Sequence, residues 1–305
     1  MNKKKSFQQL FQNKRSDKPL FFPVIDRYAA VLQNRVPNEV FLDPTMLSNG
    51  LIQAQRLLDF DGYVLQFPLE EIIRPLSDVT SIDWDTKAIK QSEIFRNIMD
   101  VVQRIKVINP FIPVFIILPG PLTVTEALNS LSSQSGEAWI NDLEIAGEII
   151  SELAGEFVKR QIDAVIIKDS QARPVSDQDY ALNLNIIDDL EEVLASFLEL
   201  TENITSFYQC KLIYSYPLWE DWLKQVHVQG LVFPIQSIQD GPLGEFNYIV
   251  GCEIDLRMWM KEDGDFKDLN LPNPSVSNSF ILTSHPVPDN CNPVSFRKWI
   301  EYIRS

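Results

Sequence analysis

The sequence predicts a single (β/α)8 barrel, an α/β fold, on three observations. Eight short apolar runs, rich in β-branched and aromatic residues, recur along the 305 residues. Segments with helical period lie between them. No composition break or Pro/Gly-rich linker divides the chain. Strands buried on both faces of a parallel sheet read as continuous apolar runs, and strands alternating with helices read as βαβ units. A closed barrel of this kind takes about 250 residues before insertions. A doubly wound open sheet is the structural rival, but no glycine-rich turn follows the first run, and only 11 residues are Gly.

The eight runs are Phe21–Ile25, Gly62–Phe67, Pro113–Leu118, Ala164–Lys168, Lys211–Tyr214, Gly230–Pro234, Tyr248–Cys252 and Phe280–Thr283. Asp43-Pro44 supplies an N-cap and a first-turn proline for a helix whose apolar face is Leu47, Leu51, Ala54, Leu57 and Leu58. Ile94, Ile98, Val101, Val102 and Ile105 mark a second helix, Trp139 to Arg160 a third and Asp188 to Phe207 a fourth. A shorter helical stretch is expected over Trp219 to Val228, and Phe296, Trp299, Ile300 and Ile303 mark the closing helix. Residues 1–18, rich in Asn, Gln and Lys, are expected to be a flexible tail, leaving 19–305 as the barrel.

A net charge of −15 and the lack of a basic run beyond Lys3–Lys5 argue against nucleic acid as a partner. A membrane is not expected either, because no apolar run approaches the roughly 18 to 20 residues needed to span one. The N-terminus has no apolar signal-peptide core, so a cytoplasmic location is expected. Three widely spaced cysteines, Cys210, Cys252 and Cys291, do not make a disulfide framework.

In a barrel of this type the residues just after each strand face the ligand. Those positions hold Asp26 and Arg27 after strand 1, Gln66 at the end of strand 2, and Gly120-Pro121-Leu122-Thr123 after strand 3. Lys168, Asp169 and Ser170 follow strand 4; Tyr214, Ser215 and Tyr216 end strand 5; Gln236 follows strand 6. Glu253 and Asp255 end strand 7, with Ser284 and His285 after strand 8. An Asp here can equally serve only as a helix cap, and Arg27 can pair structurally with a neighbouring acid. Of two histidines, His227 is expected on the surface and only His285 in the pocket, which excludes a site needing two or three His ligands. No G-x-S-x-G elbow and no phosphate-binding G-x-x-x-x-G-K-[ST] loop is present.

Gly120-Pro121-Leu122-Thr123-Val124 after the third strand resembles the uroporphyrinogen decarboxylase family, which also holds cobalamin-linked coenzyme M methyltransferases. Asp43-Pro44, Phe60-Asp61-Gly62-Tyr63, Glu253-Ile254-Asp255 and Phe280–His285 with Pro288 and Pro293 resemble further segments of that family, in the same order. The resemblance runs from about Phe21 to the C-terminus and implies the same barrel. The departures are informative. Ile25-Asp26-Arg27-Tyr28-Ala29-Ala30 stands where decarboxylases carry an arginine-rich loop, Gln66-Phe67 where they carry an aspartate, and Ala127 where they carry a tyrosine. Tyr214-Ser215-Tyr216 stands where the methyltransferases hold zinc through H-x-C.

The resemblance implies lyase-type chemistry without metal or other cofactor on a carboxylated small molecule, in the family's case a tetrapyrrole. His285, Asp255 and Asp26 are the candidate catalytic groups. Arg27, Gln66, Lys168, Asp169, Tyr214, Tyr216 and Glu253 are the candidate substrate contacts. The alternatives are a methyltransferase working with a separate corrinoid protein, since the chain has no D-x-H-x-x-G cobalamin motif of its own, and a non-catalytic binding protein on the same scaffold. The expected partners are an anionic small molecule and, on the family's example, a second copy of the chain as a homodimer.

Overall fold

In the computed structural model, the described residues are 2–12, 18–77, 86–131, 137–170, 184–218, 220–234, 249–258, 260 and 280–303. The strands are β1 (Leu20–Phe22), β2 (Tyr63–Gln66), β3 (Val114–Pro119), β4 (Ala164–Lys168), β5 (Lys211–Ser215), β6 (Gly230–Pro234), β7 (Ile249–Ile254) and β8 (Phe280–Thr283). All pairings are parallel, in the order β1-β8-β7-β6-β5-β4-β3-β2. A single bridge between Val24 and Val64 joins the two ends of that order and closes the (β/α)8 barrel. Each predicted run holds a strand; Tyr248, the predicted start of the seventh, and Gln236 lie outside the described residues.

The helices are α1 (Lys3–Leu10), α2 (Asp26–Leu32), α3 (Pro44–Leu58), α4 (Glu70–Ser77), α5 (Lys87–Gln91), α6 (Glu93–Ile108), α7 (Pro121–Leu131), α8 (Glu137–Val158), α9 (Leu184–Phe207) and α10 (Pro293–Ile303). Asp43 caps α3 by accepting from Thr45 N at 2.9 Å and Met46 N at 3.0 Å, the bond that its position before Pro44 predicts. The helix expected over Trp219 to Val228 is only a 3-10 turn, Asp221–Lys224, and His227 is exposed beyond it. Trp222, Leu223, Val226 and Val228 are buried here without a longer helix, and Trp219 lies outside the described residues.

Strand side chains alternate between two cores, as a period of two dictates. Leu20, Phe22, Val64, Phe115, Ile117, Ile166, Ile213, Val232, Ile249, Phe280 and Leu282 fill the barrel interior. Phe21, Leu65, Ile116, Val165, Leu212, Leu231 and Ile281 face the surrounding helices. Inside, the Phe280 ring lies where a Cβ on Gly251 would sit 2.6 Å away, so β7 needs glycine there.

Of the residues expected to be a flexible tail, 2–12 and 18 are described, and 3–10 form α1. Within them α1 closes the N-terminal end of the barrel, with Phe7 and Leu10 buried in the interior core. The Phe7 ring sits 4.8 Å from that of Phe115 and 6.0 Å from that of Phe22. Lys3 reaches Asp59 at 2.6 Å and Asp61 at 3.7 Å, and Lys4 reaches Asp163 at 2.7 Å. Lysines that look solvated in the sequence are held by acids of the loops entering β2 and β4. Phe7→Ala is therefore expected to cost about 3–5 kcal/mol, the loss of a buried aromatic, in a urea unfolding titration; a true tail residue would leave the midpoint unchanged.

Candidate active site

The strand carboxyl ends bring the predicted residues to one mouth but divide them into three groups. The first is internal. Lys168 and Glu253 continue the inward-facing alternation of β4 and β7, and Lys168 Nζ donates to Glu253 Oε1 at 2.5 Å and to the Ser284 carbonyl at 2.5 Å. This pair crosses the top of the barrel from β4 to β7 and reaches the end of β8. The lysine cation already faces a buried carboxylate, so it adds little net positive field to the pocket.

The second group is structural. Asp169 is buried; its Oδ1 accepts from Thr123 N at 2.9 Å and from Thr123 Oγ1 at 3.1 Å, and its Oδ2 accepts from the Tyr214 hydroxyl at 2.8 Å. The carboxylate thus caps α7, the helix after the neighbouring strand, where Thr123 itself could have served as the cap. A Cβ on Gly120 would come within 2.2 Å of this carboxyl, which explains glycine at the turn. Tyr214 and Tyr216 are wholly buried and pack with Trp222. Asp26 is also buried, accepting from its neighbour Arg27 N at 2.7 Å and from the Gln66 backbone, and so ties the end of β1 to the end of β2. Burial pushes both Asp26 and Asp169 up to about 6, against the lowering effect of their hydrogen bonds. Gln66 is half-buried at the mouth.

The third group lines the accessible rim. Asp255 grips Arg257 with a bidentate pair, Nη2 to Oδ2 at 2.7 Å and Nε to Oδ1 at 2.9 Å, and takes the Arg257 N–H at 3.0 Å. The guanidinium Nη2 lies 3.1 Å from both ring nitrogens of His285, and Ser284 Oγ is 2.8 Å from Nδ1. Partial burial and the Arg257 charge hold the His285 imidazole below its ordinary range, leaving it neutral at pH 7. The hydrogen bonds from Arg257 hold Asp255 low despite its partial burial, so it stays ionised. Arg27, after the neighbouring strand β1, sits 3.7 Å from Asp289.

The sequence reading missed Arg257 and Asp289. The signal for Arg257 was the spacing Asp255-x-Arg257, which an Asx-type turn folds back on itself. Among the described residues no three of His, Cys, Asp and Glu are placed to share a metal ion. The end of β5 presents two buried phenols, poor ligands for the thiol-activating zinc of the methyltransferase branch. Cys252 and Cys291 are both buried.

No family model matches the chain, and no curated protein matches it in sequence. Among solved structures it is similar to a methyltransferase from Methanosarcina mazei, at 13% identity and a TM-score of 0.67, covering 99% of this chain and 98% of that one. It is more loosely similar to a catalytic module of a pneumococcal exo-beta-D-N-acetylglucosaminidase (8% identity, TM-score 0.49, 94% and 82% covered). A 2,3-dimethylmalate lyase of the PEP mutase/isocitrate lyase superfamily matches at 10% identity and a TM-score of 0.43, with 92% and 80% covered. The first of these shares the whole barrel. Among the described residues no helix is long and apolar enough to cross a membrane.

The raised aspartates set a pH dependence. A carboxyl with a higher pKa folded than unfolded contributes stability that is complete below about 4 and is lost as pH rises through about 6. Asp169→Asn, which keeps an acceptor for Thr123 and removes the charge, is expected to flatten the fall in thermal stability between pH 4 and 7. An unchanged slope would show that Asp169 does not titrate there. Gly120→Ala, by displacing that carboxyl, is expected to lower the unfolding free energy by about 1–3 kcal/mol, read from a urea titration.

Proposed function

We propose that the chain is a barrel enzyme of lyase type, a divergent relative of the uroporphyrinogen decarboxylases, acting on a carboxylated small molecule held at the rim. The observation that carries the reading is the Asp255–Arg257–His285 cluster, in which a fixed cation and a titratable imidazole face the mouth together. Arg257 is the group for a substrate carboxylate, because its guanidinium is more than half exposed while Asp255 holds it in place. Arg27, paired with Asp289, is a second anion contact beside it, after the neighbouring strand β1.

The chemistry follows from the same contacts. In decarboxylation a C–C bond breaks, carbon dioxide leaves, and the electron pair left on carbon takes up a proton. His285 is the donor for that proton. Partial burial and Arg257 keep it neutral against the pull of Asp255, and an arriving carboxylate adds to that pull and favours the protonated ring. The substrate thereby prepares its own acid. Asp255 acts through Arg257 and His285 as a positioning residue, and Lys168, Glu253, Asp26 and Asp169 hold the strand ends on which the rim residues stand.

A second reading, methyl transfer with a separate corrinoid protein, is favoured by the overlay on the Methanosarcina methyltransferase across nearly the whole chain. Both readings place a tetrapyrrole at the same mouth. Native mass spectrometry with elemental analysis of the purified protein separates them: a porphyrinogen or other carboxylate without metal supports the lyase, and zinc or a corrinoid carrier supports the transferase.

Calorimetry near pH 7 in buffers of different ionisation enthalpy is expected to show uptake of protons as a carboxylated ligand binds. Arg257→Gln is expected to weaken that ligand by about tenfold to a hundredfold, as loss of a charge-assisted hydrogen bond does, and to bring the His285 titration, followed by NMR, back up towards its ordinary range. Binding without proton uptake would remove His285 from the proton-donor role.

A further inference from the structure

The end of the barrel opposite the mouth has a character that ligand binding does not explain. Phe111 in the loop entering β3, Val107 at the end of α6, and Phe207 with Tyr208 in the turn entering β5 are exposed at 64%, 72%, 81% and 40%. The strands β3, β4 and β5 are consecutive neighbours, so these side chains project from adjacent loops on one face of the molecule. Soluble surfaces carry isolated apolar residues without consequence, but large ones gathered on one face mark a contact site.

Cations stand between them. Lys5 on α1 and Arg160 in the turn entering β4 are exposed; Lys106 and Lys211 are half-buried, Lys106 donating to the Gln161 carbonyl and Lys211 lying over the Phe11 ring. Asp59, Asp61 and Asp163, carboxylates of the same loops, are already matched by Lys3 and Lys4. Lys159 is matched by Glu156. Among the described residues no carboxylate lies within ion-pair distance of Lys5, Arg160 or Lys211. The charged side chains among the described residues of the first 18 are Lys3, Lys4, Lys5 and Lys18, in a chain of net charge −15.

We propose that this end of the barrel docks on an anionic lipid surface, without crossing it, so that the mouth faces away from the membrane. Exposed aromatic and aliphatic side chains interleaved with lysine and arginine are the chemistry of interfacial attachment. A second copy of the chain does not fit, because a two-fold contact would set this positive face against itself. A protein interface concentrates its apolar groups in one desolvated core with a polar rim. Here the apolar groups sit on separate loop tips with cations between, an arrangement that a fluid headgroup layer accommodates. The net negative charge of the whole molecule does not oppose contact, since at physiological salt the lipid surface senses charges within about 8 Å.

The test is sedimentation of the full chain with phosphatidylcholine vesicles, with and without about one-third phosphatidylserine. The expected result is pelleting with the anionic vesicles, its loss at high salt, and binding weakened at least about tenfold in the Lys5→Glu, Arg160→Glu double variant. Phe111→Ser with Phe207→Ser is expected to weaken it as well, by removing the inserted groups. Thermal unfolding checks that these surface variants fold. Should they not, hydrogen exchange on the unmodified protein reads the same contact as slower exchange in residues 107–111 and 206–209 when anionic vesicles are added. No pelleting with either vesicle, equal pelleting with both, or capture of this face by an acidic protein while anionic vesicles stay free would each overturn the proposal.

Discussion

Closure of the sheet at the β1/β2 seam is the constraint on which everything else rests. Elsewhere the barrel is held by continuous parallel ladders, but β1 is three residues long and meets β2 through one bridge. Two buried aspartates complete the join. At the lower end, Asp61 Oδ2 accepts from Phe21 N at 2.9 Å and its own N–H donates to the Phe21 carbonyl at 2.9 Å. At the upper end, Asp26 takes the backbone of Gln66. A parallel strand with an open edge would leave backbone groups unpaired inside the protein, so these carboxylates substitute for missing ladder rungs. Opening the seam would part Asp26 from Gln66 at the mouth and Lys3 from Asp61 at the floor.

The same economy governs the mouth. Charges that look alike in a survey of strand ends have separate fates according to the direction of each side chain. Inward-facing Lys168 and Glu253 neutralise one another; Asp169 turns sideways to cap the adjacent helix; Asp255 holds the more exposed Arg257. The interior of the pocket is thereby close to electrically neutral, and the field that a ligand meets belongs to the rim.

How much of this could be read from the chain alone follows from what each feature depends on. Strands buried on both faces announce themselves because their residues up to the mouth are apolar, so the bounds of Ala164–Lys168 and Phe280–Thr283 are legible to the residue. The helix from Pro44 was legible because its cap is local, three residues of sequence in one hydrogen-bonded turn. The role of α1 was not. Its mean polarity is high, and only Phe7 and Leu10 turn inward; their burial depends on Phe22 and Phe115, which are distant in sequence. The Lys168–Glu253 pair spans 85 residues and the Thr123–Asp169 contact 46, and no pattern of spacing records such meetings. Gathering polar residues at strand ends therefore located the mouth, while the partition among bridge, cap and rim awaited three-dimensional packing.

The plug at the barrel floor has a consequence for how the chain is made. α1 is synthesised before its seat, which is assembled from Phe22, Phe115 and the strand that begins at Lys211, whose ammonium lies 5.7 Å from the centre of the Phe11 ring. An eight-residue helix has too few turns to persist alone in water. α1 therefore acquires its native contacts only after the chain as far as β5 has been made. It acts as a latch set before the strands it closes on, which couples completion of the barrel to the order of its own synthesis.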